Sequence, residues 1–123
     1  MTILIDTHIF LWLIFTPQKV SKHHLKLLEN GENRVFLSSI SIAEIVIKRA
    51  IGSLKAEFDV LKMVREMDIE VLDFDGKSAV VLGTLSPFHK DPFDRMIISQ
   101  AISFGYSIIT VDKKFKQYRC SLL

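Results

Sequence analysis

Residues 2–6 read Thr2-Ile3-Leu4-Ile5-Asp6. A short, β-branched and apolar run predicts a buried strand, and the acid stands at its carboxyl end. The same figure returns late in the chain, where Tyr106 to Val111 predicts another strand and Asp112 follows it. In open α/β sheets, ligands bind in the crevice at the carboxyl ends of the strands.

The segments between these two runs alternate in period. Ile9 to Phe15 is an apolar stretch with no clean amphipathic repeat, closed by Pro17 and expected to be buried. Ser21 is placed to cap a helix over residues 22–30, with Leu25 and Leu28 inward and Gly31 as its stop. Arg34 to Ser38 predicts a second strand. Ser41-Ile-Ala-Glu44 has the form of a capping box, predicting a helix that runs to about Ile51 and ends at Gly52. Phe58, Leu61, Val64 and Met67 recur every three residues, as on a helix. Ile69 to Leu72 predicts a third strand, and residues 76–85 another helix that Ser86-Pro87 breaks. Asp91-Pro92 is a helix start, with Asp as N-cap and Pro in the first turn. That helix carries Met96, Ile97, Ala101 and Phe104 and stops at Gly105. A short last strand is expected within Tyr118 to Leu122. Strands that read as continuous apolar runs, alternating with helices, predict an α/β three-layer fold. Its sheet is mainly parallel, of four or five strands, with helices on both faces.

Composition sets the outer limits. The 123 residues are 49% hydrophobic and 24% charged, which suits one folded domain and excludes a disordered chain. Sixteen basic against fourteen acidic side chains leave +2, too little to announce nucleic-acid binding by total charge. Four neutralised acids would leave a distinctly basic remainder. The single thiol, Cys120, can form neither an internal disulfide nor a zinc site, which fits a reducing, cytoplasmic compartment. The run from Ile9 to Phe15 falls far short of the roughly 20 residues that span a bilayer, and no targeting signal is visible.

Four acids stand where chemistry is expected. Asp6 and Asp112 follow strands; Glu44 and Asp94 fall in the first turns of predicted helices, which favour a carboxylate. In a strand–helix alternation these positions share one sheet edge. Clustered carboxylates raise one another's pKa unless a cation intervenes. An all-oxygen set selects hard cations, Mg²⁺ or Mn²⁺, which act on phosphates.

These residues carry a family resemblance. Ile5-Asp6-Thr7-His8 resembles the opening motif of PIN domains, and Glu44 in its Ser-x-x-Glu start resembles their second acid. His89-Lys-Asp91-Pro-Phe-Asp94-Arg95, followed by Ile97 to Ala101, is similar to the third block of a VapC-like subgroup. Thr110-Val-Asp112 with Phe115 resembles the last block. The resemblance implies a PIN fold, a metal-dependent endoribonuclease, a homodimer and an antitoxin partner, as in type II toxin–antitoxin pairs. It makes Asp6, Glu44, Asp94 and Asp112 metal ligands and places the Thr110 hydroxyl near them. His8 stands where Asn is often found.

Other residues weigh differently. Lys113, Lys114 and Lys116 beside Asp112 form a basic cluster that could meet an RNA backbone, and His89 could touch phosphate. Lys48 and Arg49 read as surface charges or RNA contacts, His23 and His24 as a solvated helix face, Trp12 as core or interface, and Asp91 as an N-cap alone. A homodimer is also expected from apolar surface left by Ile9 to Phe15. An antitoxin would lay an apolar segment against the N-terminal helices and bring a basic side chain to the acids. The alternatives are a receiver-like regulatory module, with Asp73 or Asp75 as its central acid, and a non-catalytic scaffold.

Overall fold

The computed structural model describes residues 1–123. Five strands form one sheet: β1 (Thr2–Ile5), β2 (Arg34–Ser38), β3 (Glu70–Leu72), β4 (Ser107–Ile109) and β5 (Ser121–Leu122). Their order is β3-β2-β1-β4-β5 and every neighbouring pair is parallel. Six helices connect and cover them: α1 (Thr7–Phe15), α2 (Lys22–Glu29), α3 (Ser39–Ala50), α4 (Val60–Glu66), α5 (Gly76–Leu82) and α6 (Pro92–Phe104). Single 3-10 turns lie at Pro17–Lys19 and Lys113–Gln117.

Alternation along the strands splits the core into two layers. Ile3 and Ile5 of β1 face Ile9 and Phe10 of α1, Ile45 of α3, and Val60 and Val64 of α4. Leu4 faces the other way, onto Ile97, Ile98 and Ala101 of α6 and Phe115 of the second 3-10 turn. Most of these side chains are wholly buried, and each of the larger ones contributes about 1.5–3 kcal/mol of transfer free energy. The predicted three-layer α/β architecture is therefore the observed one.

Several boundaries differ from the sequence expectation. The stretch after Asp6 is a helix, because Asp6 Oδ1 accepts the Ile9 N–H at 2.8 Å and caps it. Its burial fades along its length: Ile9 and Phe10 are enclosed, residues 11–14 half-buried, and Phe15 is 49% exposed. Helix α3 begins at Ser39, with its cap three residues before the expected Ser41. Ser38, the last residue of β2, supplies the capping oxygen first, accepting the Ile40 N–H at 3.0 Å. Ser41 and Glu44 thus lie inside the helix and make no capping box. Helix α4 starts only after Asp59 and leaves Phe58 outside, while α5 stops at Leu82. Strand β4 ends at Ile109, so Asp112 follows it by three residues. Strand β5 keeps only two residues, since Tyr118 belongs to the end of the 3-10 turn. The end of α6 is as read: Gly105 adopts φ 71°, a left-handed conformation that glycine tolerates best.

Candidate active site

Parallel strands deliver their carboxyl ends to one edge, and with β1 central the residue after it stands mid-edge. That residue is Asp6, 2% exposed. Its Oδ1 is committed to the α1 cap, and Oδ2 accepts the Thr110 hydroxyl at 2.5 Å. Thr110 Oγ1 in turn accepts the Asp112 backbone N–H at 3.0 Å. One threonine thereby joins the loop after β4 to the acid after β1.

Glu44 reaches the same edge from the second turn of α3 and is 3% exposed. Its Oε1 accepts the Thr7 hydroxyl at 2.8 Å, and Ser41 Oγ lies 2.8 Å from the same Thr7 oxygen. Its Oε2 accepts Lys48 Nζ at 2.5 Å. Lys48 stands one turn further on, the i,i+4 spacing that pairs side chains on a helix. Glu44, above all by hydrogen bonding, holds the Lys48 ammonium above its usual pKa.

Asp94 lies in the first turn of α6 and is 9% exposed. Asp91 caps that helix through the Phe93 and Asp94 N–H groups at 2.9 and 3.3 Å. Burial, and then the negative charges of Asp91, Glu44 and Asp6, push Asp94 up to about 7. Burial likewise raises Asp6, against the pull of Thr110 and Ile9, with a further push from Asp112. Asp112 moves the other way. Burial opposes ionisation there too, but the Lys114 N–H and His89 outweigh it and lower the carboxyl.

His89 closes the arrangement. Its ring is buried, 5% exposed, and Nε2 lies 2.8 Å from Asp112 Oδ2 and 3.0 Å from Asp94 Oδ2. The ligand atoms of His89, Asp94 and Asp112 all lie within 4.8 Å of one another. Asp6 and Glu44 lie outside that trio, but both stand near enough to Asp94, and Asp6 to Asp112, for their charges to act on one another, so the fold brings the four acids to one sheet edge, with Thr110 bonded to Asp6 among them. Lys113, Lys114 and Lys116 are exposed beside Asp112, on the 3-10 turn. His8 is exposed and, with Thr7, Leu11, Glu44, Lys48 and Leu54, lines a recess of about 260 Å³. A larger recess of about 320 Å³, lined by Leu13, Leu25, Leu28, Val35, Met67 and Ile69 among others, contains none of the four acids.

Some residues depart from their sequence reading. A phosphate contact from His89 does not fit its burial. Arg49 donates from both terminal guanidinium nitrogens, Nη1 and Nη2, to the Phe58 carbonyl, at 2.8 and 3.1 Å, and stacks on that ring. His24 does not simply face solvent, since its Nε2 bonds the Leu123 carbonyl at 2.7 Å. Trp12 is half-buried under Lys19. Asp75 caps α5 through the Ser78 N–H at 2.9 Å, and β3 is an edge strand, so neither Asp73 nor Asp75 is the central acid of a receiver. The support given by Thr7, Ser41 and Lys48 went unread. Lys48 alone carried a local signal, its spacing from Glu44.

A family model for the PIN domain matches residues 3–119. The chain belongs to the PIN domain family. Among curated proteins it is 24% identical over 121 residues to the ribonuclease VapC22 of Mycobacterium tuberculosis, covering 96% of this chain and 92% of that one. Solved structures share the fold. A chain of VapBC2 from Rickettsia felis, bound to a DNA fragment from its promoter, superposes with a TM-score of 0.75 at 22% identity, covering 100% of this chain and 98% of that one. A toxin–antitoxin complex from Klebsiella pneumoniae gives 0.64 at 17% identity, with 98% and 94% covered. The PIN fold thus accounts for nearly the whole length, and no helix is long and apolar enough to cross a membrane.

Proposed function

We propose that this PIN domain is a metal-dependent endoribonuclease and the toxin member of a type II toxin–antitoxin pair. The observation that carries the reading is the convergence of Asp6, Glu44, Asp94 and Asp112, with Asp94 pushed up to about 7 by burial and by its acidic neighbours. A structural cluster would pair such charges internally. Here only Glu44 has a lysine, and Asp94 has neither lysine nor arginine beside it, only the His89 ring. An all-carboxylate set with surplus negative charge fits Mg²⁺ or Mn²⁺. Those four acids would hold the ion.

When bound, such an ion supplies positive charge and Lewis acidity to a phosphodiester. The rest is the work of the chain. Thr110 and the α1 N-terminus fix the two oxygens of Asp6, and Thr7 fixes Glu44, so these carboxylates keep their orientation without rearrangement. Lys113, Lys114 and Lys116 stand at the rim, where an RNA backbone would pass, and act as sequence-independent anchors. Cleavage is expected to leave 5′-phosphate and 3′-hydroxyl ends. The cognate antitoxin would cover the half-buried apolar side chains of α1 and place a basic group at the acids. Exposed apolar side chains at Phe15, Val46, Ile47 and Ile51 favour a homodimer.

The direct test is cleavage of a mixed RNA substrate with Mn²⁺ and with EDTA, for the wild type and for Asp94→Asn. Cleavage is expected only in the wild type with Mn²⁺. Equal cleavage by both proteins, or cleavage that persists in EDTA, would refute the reading.

A further inference from the structure

His89 is held from every side. Its backbone N–H donates to Tyr118 Oη at 2.8 Å, and that hydroxyl donates to the Ser86 carbonyl at 2.7 Å. The ring meets Phe115 edge-on at 5.9 Å between centroids. Finally, the Asp91 backbone N–H donates to Nδ1 at 3.1 Å. The last contact decides the chemistry of the ring. A backbone N–H can only donate, so Nδ1 must offer a lone pair, and the proton of the neutral imidazole then sits on Nε2. A nitrogen that carries a proton has no lone pair left for a cation. The ring that looks like the third ligand of a His89–Asp94–Asp112 metal cluster is therefore a donor.

That donor is aimed where the site is weakest. Asp94 is anchored in α6, whereas Asp112 sits in a loop beyond the end of β4 with its side chain 32% exposed. Asp112 Oδ1 is taken by the Lys114 N–H, and Nε2–H of His89 takes Oδ2 at 2.8 Å, with Asp94 Oδ2 3.0 Å from the same nitrogen. We propose that His89 is a positioning residue of this site, a tautomer-locked donor that fixes Asp112 beside Asp94 and does not itself ligate the cation. This rests on the metal-site reading above and adds to it the fifth group on which cation affinity depends. Hydrogen bonds to ligating groups from residues behind them typically govern metal affinity by 10–100-fold.

Two measurements on the full chain test it. Mn²⁺ binding, followed through the free-ion signal in electron paramagnetic resonance, compares wild type, His89→Ala, His89→Gln and Asp94→Asn. His89→Ala is expected to bind Mn²⁺ about 10–100-fold more weakly, and His89→Gln, which can still present an N–H there, is expected to recover most of that loss. Nitrogen-15 spectra of wild-type imidazoles, with His89 assigned from the Gln variant, should show Nε2 protonated and Nδ1 bare, with and without Mg²⁺. An Nε2 that loses its proton when Mg²⁺ is added would make His89 a ligand and overturn the proposal. So would His89→Ala binding as tightly as wild type while Asp94→Asn does not, or a Gln variant as weak as the Ala variant. Mn²⁺ binding that survives Asp94→Asn would overturn the metal-site reading and this inference together.

Discussion

Asp94 combines two pressures at one residue: burial removes water from its carboxyl, and Asp91, Glu44 and Asp6 add negative charge around it. The linkage has a definite sign. With a native pKa of about 7 against the ordinary 3.8 of an aspartate, the folded state keeps a proton that the unfolded chain has released. Stability contributed by this group therefore falls as pH rises through that window. Asp6, also raised, works in the same direction. In EDTA, the urea midpoint is expected to drop between pH 5 and pH 8, and the drop should shrink in Asp94→Asn. A midpoint that climbs equally in both proteins would mean that Asp94 does not carry the strain. The acids themselves were legible because each sits beside a strand end or a helix start. The partners that tune them were not. Nothing local in His89-Lys90-Asp91 tells which acid the ring will meet, since Asp112 is 23 residues away.

Elements show the same division. Helix α6 was readable at both ends, because Asp91-Pro92 and Gly105 use local backbone chemistry that no tertiary contact overrides. Helix α3 was not, because two serine-based starts competed. Ser38 has a second partner that sequence cannot reveal: its hydroxyl also donates to Gln100 Oε1, and Gln100 Nε2 reaches the Leu72 carbonyl at 3.1 Å. One side chain thus caps α3 and ties β2 to α6 in a fully buried spot. Ser38→Ala removes a cap, about 1 kcal/mol, and strands a buried acceptor, roughly 1–3 kcal/mol more. The sum, about 2–4 kcal/mol, should be visible in chemical denaturation. Ser21→Ala offers the control, since Ser21 caps α2 at the exposed surface through the His24 N–H alone; about 1 kcal/mol is expected there. Equal costs for the two would show that the Gln100 link contributes nothing.

At the scale of the molecule, the order β3-β2-β1-β4-β5 is what assembles the site. Central β1 puts Asp6 between the helix that follows β2, bearing Glu44, and the loop that follows β4, bearing Asp112. Helix α6, which feeds β4, brings Asp94 to the same edge. The four carboxylates therefore come from segments that meet only in the finished fold, and their mutual repulsion is a cost borne by folding itself. A cation that binds only the native state removes that cost and adds linkage stabilisation. At one hundred times Kd the gain is about 2.7 kcal/mol for one site. For a chain of this length it should raise Tm by roughly 10 °C. Asp94→Asn keeps the shape of the side chain and removes its charge. In EDTA it should melt at or slightly above the wild-type temperature, because repulsion is relieved; with Mn²⁺ it should gain little. A structural Asp94 would give the opposite pair of results, a lower melting temperature in EDTA and an undiminished response to Mn²⁺. Four melting curves, two proteins each with Mn²⁺ and with EDTA, separate a site under electrostatic load from a set of helix caps that happen to be acidic.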